Sequence, residues 1–156
     1  KHEAIDMTSI LRQIADEFQP QAEAKRQLIM VEEIEERSIV NGEPLQLRQA
    51  LRNLIGNAIK YTPEGGTVTL SSQNKAGWVS VHIQDTGYGI PATNLPNLFK
   101  RFYRVRNNGH DDVEGNGLGL AIVKSIAESM GGSVAVESEP GKGSCFTLNL
   151  PLLDQS

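Results

Sequence analysis

Residues 115–120 read Gly-Asn-Gly-Leu-Gly-Leu and run directly into an apolar helical pattern that stops at Gly131-Gly132. Three glycines at a helix start let bare backbone approach a ligand. The helix's first N–H groups are unpaired and carry the positive end of its dipole, so the junction suits phosphate. A flexible loop that merely precedes a helix would look the same over so short a motif. Two familiar phosphate motifs are excluded. A P-loop needs Lys-Ser or Lys-Thr after its last glycine, whereas Leu120 and Ala121 follow Gly119. A dinucleotide fold needs an apolar strand just before the glycines, and the run from Arg104 to Glu114 is too polar to be one. The rest of a phosphate site must come from elsewhere in the chain.

Two other clusters offer it. Asn53 and Asn57 stand four residues apart, about 40° apart around a helix. They lie beside a stripe of Leu47, Leu51, Leu54 and Ala58, with Lys60 and Tyr61 one turn further on. Amides are mediocre helix formers, so surface choice explains them poorly. They are either solvated or back-bonded asparagines, or a source of a neutral carbonyl oxygen for Mg2+. That ion keeps waters and phosphate oxygens and takes only one or two protein ligands. The second cluster, Asp85-Thr86-Gly87-Tyr88-Gly89-Ile90-Pro91, begins where an alternating strand ends. It reads as an ordinary turn, or as a buried carboxylate that accepts from an exocyclic amine such as adenine's while the glycines let backbone close over the base. Guanine would set a carbonyl oxygen against the same carboxylate.

Helices and hairpins must position these groups. The pattern predicts a short strand at Ile5–Met7, then a helix capped by Thr8 or Ser9 that carries Ile10, Leu11, Ile14 and Phe18 and breaks near Pro20. Residues 28–31 and 38–40 are strand candidates, Asn41-Gly42 is a turn signal, and Pro44 opens a second helix over 44–61. Residues 67–70 and 79–83 form a hairpin around Asn74-Lys75-Ala76-Gly77. A loop-rich stretch from Thr86 to Asn116 holds a short helical piece near Leu95–Phe102, and a connection so long is usually functional. A third long helix over 117–130 ends at Gly131-Gly132, and a last hairpin pairs 133–137 with 144–150. The predicted class is α+β: a two-layer α/β sandwich with one mixed, mostly antiparallel sheet under three long helices.

With 156 residues, 38% hydrophobic and 22% charged, the chain suits one soluble domain spanning 1–156 with a real core. No apolar run approaches the ~20 residues of a membrane span, and no signal-peptide pattern opens the chain. A net charge of −4 argues against a broad nucleic-acid or anionic-membrane surface. The lone Cys145 has no partner for an internal disulfide and lies in an alternating strand, which makes it a core residue and fits a reducing, cytoplasmic setting.

Together the motifs resemble the catalytic, ATP-binding domain of sensor histidine kinases, within the superfamily that includes DNA gyrase-type, chaperone and mismatch-repair ATPases and shares the Bergerat-type nucleotide-binding fold. Asn53-Leu54-Ile55-Gly56-Asn57-Ala58 with Lys60-Tyr61-Thr62 looks like the N box, and Asp85-x-Gly87-x-Gly89-Ile90-Pro91 like the first glycine box. Residues 98–105, Leu-Phe-Lys-Arg-Phe-Tyr-Arg-Val, are similar to the F box of this kinase family. Gly115-x-Gly117-Leu118-Gly119 resembles the second glycine box, and Gly141-x-Gly143-Ser144 with Phe146 the third. The resemblance runs over nearly the whole chain from about Ile5.

The resemblance implies roles. Asp85 would bind the adenine amine, with Gly87, Gly89 and Ile90 beside it and Ser144 assisting through water. Asn57 would ligate Mg2+, Asn53 would support the phosphate end, Lys60 would meet phosphate oxygens, and Tyr61 would stack near adenine or ribose. Gly115, Gly117, Leu118 and Gly119 would border the phosphates, and Arg104 would reach the γ-phosphate from a mobile ATP lid over 92–116 that Phe99 and Phe102 anchor. Two departures are informative. The family's phosphoaccepting histidine sits in a separate dimerisation domain, and neither His2, His82 nor His110 lies in such a motif; residues 1–4 then read as a remnant of the linker to that domain. The superfamily's hydrolases place a glutamate base where this chain has Asn53, and an amide cannot take a proton from water, which favours phosphoryl transfer to an external acceptor. The implied partners are ATP, the kinase's own dimerisation and histidine-phosphotransfer domain, and a response regulator receiver domain. Nucleic acid and direct membrane contact are not expected, and the isolated domain is expected to be a monomer in the cytoplasm, with any membrane anchor elsewhere in a full-length kinase. A stand-alone serine protein kinase of the anti-sigma type, and a nucleotide-binding module without transfer activity, remain as alternatives.

Overall fold

The computed structural model describes residues 2–100 and 118–153. Chain order is β1 (Glu3–Asp6), α1 (Met7–Glu17), α2 (Gln19–Ala24), β2 (Leu28–Val31), β3 (Ile39–Gly42), α3 (Pro44–Lys60), β4 (Thr67–Lys75), β5 (Trp78–Asp85), a 3-10 turn (Ala92–Asn97), α4 (Leu118–Ser129), β6 (Ser133–Glu139) and β7 (Gly143–Pro151). Five strands form one sheet in the order β2-β4-β5-β7-β6, parallel only between β2 and β4. Antiparallel β4, β5 and β7 alternate buried and more exposed residues and β6 alternates half-buried and exposed ones, so the apolar set Val68, Leu70, Val79, Val81, Ile83, Phe146, Leu148 and Leu150 faces one side. Onto that side pack Met7, Leu11 and Ile14 of α1, Leu47, Leu51, Leu54, Ile55 and Ile59 of α3, and Val123, Ile126 and Ala127 of α4. The predicted α+β sandwich is the observed one.

The differences have local causes. Asp6, not Thr8 or Ser9, caps α1: its carboxylate accepts from the Thr8 and Ser38 amides at 3.1 Å each and from the Ser9 hydroxyl at 3.2 Å. α1 ends at Glu17, near Pro20 as predicted, but helical structure resumes at once because Pro20 sits in the first turn of α2, where its missing N–H costs nothing. Asn41-Gly42 is no turn but the end of β3, which pairs with β1 in a second, two-stranded sheet that the pattern did not reveal. The β4–β5 hairpin is longer than its apolar core, reaching Lys75 and Trp78 around Ala76-Gly77, because its outward residues are polar and face water. The helical piece is a 3-10 turn over 92–97, earlier than expected; of the predicted span, Arg101 and Phe102 lie outside the described residues. Glu43 caps α3 through the Leu45 and Gln46 amides, both at 3.2 Å. Gly131-Gly132 closes α4 as predicted, with Gly132 N–H on Ala127 O at 2.8 Å and Gly131 N–H on Glu128 O at 3.0 Å.

The C-terminal end of α3 is finished by two side chains from another part of the chain. Lys25 Nζ donates to Ile59 O at 2.8 Å and Lys60 O at 3.3 Å. Buried Gln27 Nε2 donates to Ile59 O at 3.0 Å and Thr62 O at 2.7 Å. These contacts satisfy carbonyls that a helix end leaves without partners. Partial burial also pushes the Lys25 ammonium below its ordinary range. Replacing Gln27 with Leu keeps the apolar volume but strands the Thr62 carbonyl. The expected loss is about 1–3 kcal/mol in urea unfolding, with an unchanged m-value. A loss below a few tenths of a kcal/mol would show that water replaces the amide.

Candidate functional site

The predicted site residues that the structure describes lie where β5 ends, along the C-terminal half of α3 and where α4 begins. Asp85 is the last residue of β5, between Val68 of β4 and Ser144 of β7, and is only 6% exposed. Its Oδ1 accepts from the Gly87 amide at 2.8 Å and the Ser144 amide at 3.1 Å. Among the described residues nothing donates to Oδ2. Burial pushes the Asp85 carboxyl up to about 6, against the opposing pull of the two amides. The charge is thus held where solvation is poor, with one oxygen unused by the fold.

Backbone closes tightly around it. Gly143 has φ +110, and a Cβ there would run into the Asp85 carbonyl; Gly89 has φ +76, and a Cβ there would run into the Glu139 carbonyl. Both positions therefore require glycine. Gly87 lies against the Tyr61 carbonyl. Tyr88 N–H reaches that carbonyl at 3.3 Å, while Gly141 N–H bonds Tyr88 O at 2.7 Å. Ile90 N–H donates to Ser138 Oγ at 2.8 Å, and Ser138 Oγ lies 2.7 Å from Ser144 Oγ. The 85–91 loop is thus stapled to the end of α3 on one side and to the β6–β7 turn on the other.

The other half of the site joins two helices. Asn53 Nδ2 donates to Gly119 O at 3.1 Å, docking α3 on the first turn of α4. Asn57, one turn on, is half-buried, and no described residue hydrogen-bonds its side-chain amide. Lys60 is exposed at the helix end, and Tyr61, half-buried, caps it. Phe99 packs edge-on against Phe146 of β7, ring centres 6.2 Å apart. Arg104, Gly115, Gly117 and Phe102, with the lid from Arg101 onward, lie outside the described residues, and Leu118 contributes here only as the first residue of α4. Cys145 is half-buried, and burial pushes its thiol upward, in keeping with an unreactive role. Sequence reasoning missed Ser138, Lys25 and Gln27. Only Ser138 left a trace, as a serine in the inward register of Val134 and Val136 on β6.

Among the described residues no three His, Cys, Asp or Glu side chains gather as a metal site. A strand-end carboxylate walled by glycine backbone thus stands at the end of a helix, α3, that Asn53 ties to the first turn of α4. The chain belongs to the family of histidine kinase-, DNA gyrase B- and HSP90-like ATPases, which matches residues 42–154. It is 42% identical over 113 residues to the sensor histidine kinase RcsC of Salmonella typhimurium, covering 72% of this chain and 12% of RcsC. It superposes on the mycobacterial sensor histidine kinase MprB with a TM-score of 0.84 at 28% identity, covering 99% of this chain and 100% of that one. Full-length ShkA in complex with AMPPNP gives a TM-score of 0.83 at 32% identity, covering 100% of this chain and 32% of that one. Among the described residues no helix is long and apolar enough to cross a membrane.

The Asp85 carboxylate should cost stability. Well below its unfolded value of 3.8 it is protonated both folded and unfolded. As pH rises toward 6 the unfolded chain loses this proton and the folded chain keeps it, so stability falls across that window and the deficit is constant above it. Asp85→Asn retains an oxygen for the two amides and removes the charge. At pH 7.5 it is expected to be more stable than the natural protein by roughly 1–3 kcal/mol, a difference that vanishes toward pH 4. Thermal unfolding of both proteins from pH 4 to 8 without nucleotide measures this. A variant less stable at every pH would mean the carboxylate is a structural support.

Proposed function

We propose that the chain is the ATP-binding catalytic domain of a sensor histidine kinase, delivering the γ-phosphoryl of Mg-ATP to a histidine on the kinase's dimerisation domain for onward transfer to a response regulator receiver domain. The observation that carries this is Asp85: a buried carboxylate, retained at a cost, with Oδ2 left for a ligand donor such as the adenine amine. Membership of the ATPase family and likeness to sensor histidine kinases support it.

The chain's residues divide the work. Asp85 accepts from the base, Gly87, Gly89 and Ile90 supply its backbone wall, and Tyr61 lies at the ribose side. Asn53 spends its amide hydrogen on Gly119 O and so holds the start of α4, whose free N–H groups and dipole face the phosphates. Gly115, Gly117, Leu118 and Gly119 are assigned to that edge, Lys60 to the phosphate oxygens and Arg104 to the γ-phosphate. Asn57, its amide unclaimed, offers an oxygen to Mg2+, which when bound neutralises phosphate charge and polarises the transferred group. No residue assigned to the phosphate end is a carboxylate or imidazole able to activate water, since Asn53 is an amide, so positioning and charge stabilisation serve transfer to a histidine brought from outside. The domain works in the cytoplasm, where ATP and a receiver domain are available.

Asn57→Ala is expected to weaken ATP binding roughly tenfold or more with Mg2+ present, the loss of about 1.5 kcal/mol in a charge-assisted contact, and much less in chelator. Calorimetric titration under both conditions measures it. In the same preparation, γ-labelled ATP should leave the isolated natural chain unlabelled and should label a histidine-bearing dimerisation domain supplied in trans. Self-labelling of the chain would overturn the proposed division of labour.

A further inference from the structure

Ser138 lies outside every glycine and asparagine motif, yet its hydroxyl is the most heavily used side-chain group near Asp85. It accepts from Ile90 N–H at 2.8 Å, donates to Gly143 O at 3.0 Å, and lies 2.7 Å from Ser144 Oγ. A serine hydroxyl has one proton and two lone pairs. The Gly143 carbonyl can only accept, so it takes the Ser138 proton. The Ile90 amide can only donate, so it takes one lone pair. With that proton on Gly143 O, the second lone pair is what Ser138 has left for Ser144, whose own proton then points at Ser138.

The consequence falls on the pocket. Ser144 is 8% exposed and directly opposite Asp85 in the β5–β7 register, with its amide already on Asp85 Oδ1. With its proton turned toward Ser138, the Ser144 hydroxyl offers only lone pairs on the side of Asp85, where the carboxylate also offers only lone pairs. We propose that Ser138 is a specificity-determining positioning residue: by fixing the direction of the Ser144 hydroxyl it makes this wall of the pocket purely hydrogen-bond accepting, so that a ligand edge bearing an amine, or a water that donates to the wall, is accepted, and a bare carbonyl oxygen is rejected. This rests on the nucleotide-binding reading above and refines it. The carboxylate alone cannot secure the rejection, because a serine free to rotate beside it would donate to a ligand carbonyl and soften the mismatch. Ser138 removes that freedom. It also ties Ile90 to the β6–β7 turn, so the loop and the hydroxyl are set by one atom.

The test compares ATP with 6-methoxypurine riboside triphosphate, which puts an acceptor-only oxygen in place of the adenine amine and keeps N1 as an acceptor, by competition against a fluorescent ATP analogue. The natural protein should prefer ATP. In Ser138→Ala the Ser144 proton is released, and the affinity ratio of ATP to the methoxy analogue should fall about threefold to tenfold, the scale of one neutral hydrogen bond gained by the wrong base. Ser138→Thr keeps the hydroxyl and should restore the natural ratio. In a Ser144→Ala background, Ser138→Ala should leave the ratio unchanged, since the residue it acts through is gone. If Ser138→Ala does not fold, Ser138→Cys carries the measurement, with a smaller fall expected. An unchanged ratio in the folded Ser138 variant, or an equal fall with and without Ser144, overturns the proposal and leaves Ser138 a loop staple. A natural protein that binds neither nucleotide, or both equally, defeats the nucleotide reading itself and is distinct from either result.

Discussion

Keeping an ionised carboxylate under the end of a sheet is costly unless something offsets its lost hydration, and two backbone amides offset it only in part. Asp85 must be ionised at neutral pH to accept hydrogen bonds with both oxygens, yet burial favours its neutral form. The surrounding backbone is arranged to hold it there. Gly143 comes close enough to the Asp85 carbonyl to exclude any side chain, the next residue's amide turns onto Oδ1, and the loop from Gly87 to Ile90 folds back to supply the second amide. Under the proposed function, such a site gives up folding stability for a ligand contact, the pattern of a functional group set against local stability.

The same constraint explains why α3 is finished so carefully. Its last turn carries Asn57, Lys60 and Tyr61, and the Tyr61 carbonyl receives the Tyr88 amide from the loop that carries Asp85's second donor. Fraying at that end would move the base wall and the phosphate end together. Lys25 and Gln27 reach across from the α2–β2 segment to tie off the carbonyls there, while Asn53, two turns earlier, ties the helix to α4. One rigid helix thus spans the two halves of the site, supported at both by side chains that themselves touch no ligand in this account.

Much of this was legible in the sequence because the physics was local. The leucine stripe of α3, the period-2 hairpins and the glycine stop after α4 report which face is buried and where backbone must turn, and each lands within a few residues of its predicted place. Asp85, Gly87 and Gly89 were visible because a charge and spaced glycines follow an alternating strand. What stayed hidden depends on pairing between distant segments. The β1–β3 sheet brings together residues more than thirty apart, and its members look like a short apolar patch and a turn. Lys25 and Gln27 read as ordinary polar residues, since their targets are carbonyls more than thirty residues away. The capping choice at α1 failed for a related reason: Asp6 also holds the Ser38 amide, so the tertiary contact selects it over the two hydroxyl residues that follow.

Ser138 shows how a hydrogen-bond network can carry specificity that no single contact reports. Neither its sequence position nor its exposure sets it apart, and its distance to Ser144 alone leaves the donor undecided. Direction enters only when all three partners are counted together, because a hydroxyl with one proton cannot donate twice. The amide of Ile90 and the carbonyl of Gly143 are fixed by the loop and the turn, so the backbone determines the Ser144 proton through a single intervening oxygen. A pocket built this way stores its selectivity in backbone geometry. It would resist drift at Ser138 less well than drift in the surrounding apolar core, since any residue at 138 without a hydroxyl frees the Ser144 proton while leaving every packed side chain of the sheet in place.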